Sequence, residues 1–174
     1  MAAGKTYTPI ASTTLNAAEA TVTFLSIPQT YTDLICVMEG RGSRADYDDE
    51  VKIQFNSDTA SNYSTTLLSG DGSVTGSSRA SNTAYIIGRI TSASATASNR
   101  SNMIININNY SNATTYKTVL LRLNEPPSGG ADYGVGLHAG LWRNTAAITT
   151  LTLTTSNGNF NSGCTFTLYG IAAA

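Results

Sequence analysis

Val51-Lys52-Ile53-Gln54-Phe55 sets an apolar side chain at every second position and a polar one between. Successive side chains of an extended chain point to opposite faces, so this pentapeptide reads as a strand with one buried face. The same period recurs outward in both directions. Met103, Ile105 and Ile107 alternate with Asn106 and Asn108; Val119, Leu121 and Leu123 with Thr118, Leu120 and Arg122; Leu151 and Leu153 with Thr150, Thr152 and Thr154; Phe166 and Leu168 with Thr165 and Thr167. Further strands are predicted around 6–14, 21–27, 33–39, 63–68, 85–90 and 135–142, and Tyr169-Gly170-Ile171 reads as the end of a last strand. The one stretch with helical leaning, 15–20, is short and preceded by threonines. The expected fold is all-β: an antiparallel, jelly-roll-like β-sandwich of about ten strands. It is expected to be a single domain over 1–174, with a short arm at 1–6 and a tail at 172–174.

Turn chemistry separates the strands. Ile27-Pro28-Gln29-Thr30 predicts a corner, Gly70-Asp71-Gly72-Ser73 a tight turn, and Pro126-Pro127-Ser128-Gly129-Gly130 a longer loop. Asn157-Gly158 carries the strongest hairpin signal, because both residues tolerate positive φ. The Ser/Ala/Thr/Asn stretch 91–102 is expected as a loop or a polar edge.

Composition agrees and excludes several functions. Ser, Thr and Asn are abundant, charged residues make up 12%, and the net charge is −1. Such a chain has no basic stripe for phosphates, so nucleic acid is not an expected partner. Apolar runs such as Leu34-Ile35-Cys36-Val37-Met38 are far shorter than the roughly 20 residues of a spanning helix. The N-terminal Met1-Ala2-Ala3-Gly4-Lys5 lacks a signal-peptide core, so cytoplasmic synthesis is expected. Two cysteines make no disulfide framework; Cys36 and Cys164 read as small buried thiols. The sequons at Asn62, Asn99, Asn109 and Asn112 read as chance matches.

Five segments, in order, carry a more specific pattern: 24–34 (Phe-Leu-Ser-Ile-Pro-Gln-Thr-Tyr-Thr-Asp-Leu), 54–58 with Asn62-Tyr63-Ser64, 109–118, 140–148, and Gly158-Asn159-Phe160 running into Gly163 and 166–171. Their order and spacing resemble the jelly-roll knob domains of tailed-bacteriophage virion proteins, which include capsid decoration (cement) proteins and tail-fibre knobs. The resemblance covers about 7–171. It implies a virion surface protein, synthesised in the bacterial cytoplasm, usually a homotrimer and with no catalytic residues. Its partners would be the major capsid protein or other virion proteins. The leading expectation is a decoration protein on the phage head; the alternative is a receptor- or glycan-binding knob of a tail fibre or baseplate. The acidic stretch at 46–50 and the segment 126–130 depart from the family pattern.

No residue cluster predicts chemistry, and no cofactor or metal is expected. His138 is the single histidine, and no Gly-x-Ser-x-Gly elbow accompanies it, so a surface or interface histidine is the reading and the chain is not expected to be an enzyme. Asp46, Asp48, Asp49 and Glu50 read as a solvated loop rather than a calcium site, since their spacing is not that of an EF-hand. Trp142 is expected to anchor the core between sheets. Arg41, Arg44, Arg79 and Arg100, in loop-like segments, are interface candidates for acidic patches on a shell. Tyr63, Tyr110 and Tyr116 are expected to pack their rings inward and keep their hydroxyls wet. For the glycan-binding alternative, Tyr47, Tyr63, Tyr110 and Tyr133 are the available aromatics.

Overall fold

The computed structural model describes residues 6–124 and 134–172. The twelve strands are β1 (Tyr7–Thr14), β2 (Thr21–Phe24), β3 (Asp33–Gly40), β4 (Asp48–Phe55), β5 (Tyr63–Gly70), β6 (Thr75–Thr83), β7 (Ile86–Thr91), β8 (Ser101–Asn108), β9 (Lys117–Asn124), β10 (Val135–Trp142), β11 (Leu151–Thr155) and β12 (Thr165–Ile171). They form two antiparallel sheets, one of eight strands in the order β1-β12-β3-β8-β9-β10-β5-β6 and one of four in the order β2-β11-β4-β7. The expected all-β sandwich is therefore present, with slightly more strands than predicted. Residues 15–20 form no helix. The Pro126–Gly130 segment and Tyr133 lie outside the described residues.

The topology resolves into a jelly roll with an extension. Taken alone, β1, β2, β3, β4, β7, β8, β11 and β12 pair as 1-12-3-8 and 2-11-4-7, which is the interlocked double Greek key of that fold. Two hairpins are inserted into it. The β5–β6 hairpin lies between β4 and β7 in the chain, the β9–β10 hairpin lies between β8 and β11, and β5 pairs with β10. Together they lengthen one sheet by four strands while the other sheet stops at β7.

Period two builds the core directly. In β9 the buried Lys117, Val119, Leu121 and Leu123 alternate with exposed Thr118, Leu120, Arg122 and Asn124. β4 turns Val51, Ile53 and Phe55 onto Leu34, Met38, Met103, Ile105 and Trp142 in one continuous cluster. Each such fully buried side chain contributes about 1.5–3 kcal/mol. Two glycines are dictated by this packing. A Cβ on Gly170 would lie 2.3 Å from the ring of Tyr31, and one on Gly40 would lie 2.4 Å from Cys164 Sγ.

Turns were foreseen unevenly. Residues 71–74 do make the tight β5–β6 turn, with Asp71 Oδ1 accepting from the Ser73 N–H at 2.8 Å and Gly72 at φ +88°. Asn157-Gly158, by contrast, closes no hairpin, because β11 and β12 belong to different sheets. Gly158 is needed for close approach instead, its Cβ position lying 2.7 Å from the Arg44 nitrogen. The strand signal fails at β6, most of which is exposed on both faces and so shows no alternation.

Candidate functional site

Three places are candidates: two polar clusters, which prove to be internal fastenings, and one exposed surface. The first gathers the segments that carry the sequence pattern. Trp142 is fully buried between the sheets, 5.5 Å from the Phe55 ring and 6.2 Å, stacked, from Tyr63. Its indole N–H donates to Asp58 Oδ2 at 2.8 Å, and Asn62 Nδ2 donates to the same oxygen at 2.9 Å. Burial alone would raise the Asp58 pKa; hydrogen bonds from Asn62, Trp142, the Ala60 N–H and Asn144 outweigh it and hold the carboxyl below its usual range. Arg143 clamps the same loop, donating from its main chain to Asn62 O and from its guanidinium to Ser61 O, both within 2.9 Å. Asp58, on which the knot turns, enters the sequence pattern only as the last residue of 54–58, with no role assigned to it. The tyrosines depart from expectation. Tyr63 and Tyr110 are fully buried, with hydroxyls on main-chain carbonyls, Tyr63 at Phe55 and Asp58 and Tyr110 at Pro28. Desolvation raises both their pKa values. Tyr116 is 54% exposed, and Tyr47 is half-buried.

The second cluster is a seam along the free edge of β7. His138 is fully buried rather than at the surface, because β10 turns it toward the smaller sheet. Its Nδ1 lies 2.8 Å from the Ile87 carbonyl, which cannot donate, so the proton sits on Nδ1. Thr65 Oγ1 accepts from the Ile87 N–H at 3.1 Å. Four residues on, Ser101 Oγ accepts from the Thr91 N–H at 2.6 Å and the Gly42 N–H donates to the Thr91 carbonyl at 2.7 Å. Side chains of the larger sheet, with the Gly42 main chain, thus stand in for a missing neighbour strand. Desolvation, aided by Arg89, lowers the His138 pKa, with the Ile87 bond opposing. Lys117, also buried, donates to the carbonyls of Thr115 and Thr145 at 2.7 and 3.1 Å.

The acidic stretch is not a solvated loop. Its second half is β4, so its carboxylates point to opposite faces. Asp46 pairs with Arg44 at 3.0 Å, and Asp48 pairs with Arg89. Buried Asp49 accepts from the Asn157 N–H at 3.2 Å, and Glu50 accepts from Ser156 Oγ at 3.2 Å. Among the described residues no group of three His, Cys, Asp or Glu side chains converges as metal ligands. Of the arginines, Arg41 donates to the carbonyls of Ala93, Ala95, Thr96 and Asn99 and so holds loop 92–100 in place. Arg44 is committed to Asp46, and Arg100 to Glu39 and to the Gly163 carbonyl. Arg79 stands on β6 rather than in a loop, exposed and unpaired among the described residues. Cys36 and Cys164 are free and buried, with desolvation pushing the Cys36 thiol up to about 12.

The third candidate is a surface. The outer face of the hairpin extension exposes Val135 (68%), Leu68 (51%), Leu137 (41%) and Leu120 (39%). Register makes them contiguous: Leu137 stands beside Leu68 on one side and Arg122 on the other, and Leu120 stands beside Ala139. An apolar cluster of this kind on an outer face is typical of interaction sites. Sequence showed Leu120 and Leu137 only as members of alternating strands; which strands lie side by side was hidden.

No family model matches the chain, and no curated protein matches it. A solved structure of exo-inulinase from Aspergillus awamori superposes on 95% of this chain and 29% of that one, at 14% identity and a TM-score of 0.48. The likeness is too slight to carry an argument about activity.

Proposed function

We propose that the chain is a non-enzymatic virion structural protein, a decoration (cement) protein that binds the outside of a tailed-phage head as a trimer and stabilises the shell. The observation that carries this reading is the exposed Leu68–Leu120–Val135–Leu137 face around Arg122, an apolar outer sheet face suited to assembly. The polar groups of the interior support it, since those of Asp58, Lys117, Thr65 and Ser101 are used to hold main chain in place. The resemblance of the ordered segments to phage knob domains supplies the partner class. A receptor- or glycan-binding knob is the second reading, favoured by the exposed ring of Tyr116. Stoichiometry separates the two. Quantitative mass spectrometry and electron microscopy of the purified particle are expected to find copies on the scale of the major capsid protein, spread over the head. A few copies confined to the tail would overturn the decoration reading in favour of the second.

A further inference from the structure

The sandwich has four sheet edges among the described strands, and three of them are protected. β1 is interrupted by Pro9 and a bulge between Pro9 and Ala11. β2 is only four residues long. The edge of β7 is capped by Thr65, His138, Ser101 and Gly42. β6 differs. Its far end is bulged at Asn82, whose φ is 55° and whose side chain Arg143 holds, but residues 75–81 run in unbroken register with β5. Among the described residues nothing caps their outward side, and the stretch contains no proline and one charge.

Both faces of this edge are open. On the inner side, where the smaller sheet has already stopped, Leu67, Ser69, Gly76, Ser78 and Arg89 line a groove of about 250 Å³. On the outer side Ser77 stands opposite Leu68 and Arg79 opposite Thr66, so small side chains lead directly to the exposed leucines. Among the described residues the charge there has one sign. Arg79 and Arg122 share the outer face, and no carboxylate stands on the β9, β10, β5 and β6 rows around them.

We propose that β6 accepts an extended segment of a partner protein as a ninth strand of the larger sheet, with a carboxylate opposite Arg79 and a bulky apolar side chain opposite Ser77. Strand addition supplies the main-chain bonds, and alternate side chains give specificity. The carboxylate meets Arg79, unpaired among the described residues, and the apolar residue lies over Ser77 to reach Leu68. A second copy of this chain fits poorly. In the fully overlapped antiparallel register of two β6 edges, each Arg79 falls opposite the other copy's Ser77. The two arginines then become diagonal neighbours, roughly 7–8 Å apart, with no acid between them. The inference does not depend on whether the chain sits on a head or a tail.

The test uses the full chain and a fluorescent nonapeptide, Thr-Val-Thr-Glu-Thr-Phe-Thr-Val-Thr, whose antiparallel pairing sets Glu against Arg79 and Phe against Ser77. Anisotropy is expected to show saturable binding, and amide hydrogen exchange to show slowing at 75–81. Arg79→Glu is expected to weaken binding about tenfold, and a peptide with Lys in place of Glu to recover it on that variant. Circular dichroism checks that the exposed substitution leaves the fold intact. Absence of saturable binding at millimolar peptide, binding indifferent to Arg79→Glu, or protection outside β6 would each overturn the proposal. So would a free chain that self-associates with 75–81 already protected, which would make the occupant a second copy.

Discussion

Replacing Trp142 by Ala tests the packing on which the sandwich rests. Its side chain is fully buried and touches Phe55 of the facing sheet, so truncation opens a cavity between the layers. Large aromatic truncations in cores cost about 3–5 kcal/mol. The indole N–H bond to Asp58 is lost as well, but Asp58 keeps Asn62 and the Ala60 N–H, so that loss adds only about 1 kcal/mol. A total of about 4–6 kcal/mol is a large share of the 5–15 kcal/mol typical of a domain. For a chain of this size it lowers Tm by roughly 8–24 °C. Because the chain has a single Trp, unfolding must be followed by circular dichroism rather than indole fluorescence. Trp142→Phe keeps most of the volume and loses the N–H, so it should cost about 1–2 kcal/mol. A Trp142→Ala protein melting within ~2 °C of the parent, or a Phe variant as damaged as the Ala variant, would refute this account.

Acid should destabilise the protein through His138. Its folded pKa lies below the ordinary 6.5, so over the interval between the two values the unfolded chain binds the extra proton and stability rises with pH. Tm should be level above about pH 7 and fall below about pH 6.5, and His138→Gln should remove that slope whatever its own stability. Asp58, with a lowered folded pKa, adds a second loss as pH falls through the carboxylate range, which Asp58→Asn should remove. The thiols of Cys36 and Cys164 should be inert to Ellman's reagent in the native protein and both react in guanidinium, since burial keeps them covered and Cys36 protonated. Gly170→Ala should cost about 1–3 kcal/mol through the clash with Tyr31. Gly72→Ala, in open space at φ +88°, should cost only about 1 kcal/mol of backbone strain, and paired denaturant melts compare the two.

What local sequence settled is the strand content. Val51-Lys52-Ile53-Gln54-Phe55 and the stretches like it alternate because one face is wet and the other is not, and that contrast is written residue by residue. Trp142 was legible as a core anchor for a similar reason: so large a side chain between Gly140 and a polar turn has few other places to go. Where both faces are wet, as along β6, or where a strand's inward position is polar, as at His138, Lys117 and Thr65, the pattern says nothing about location. Tertiary structure alone decided that β5 pairs with β10 across the two inserted hairpins, and that Asn157-Gly158 leads from one sheet to the other. It also brought Asp58 to Trp142, 84 positions apart in the chain. Those outcomes depend on which faces meet. A strand's periodicity fixes which side chains share a face; only the closing of two sheets on one core determines what that face will touch and which edge is left open.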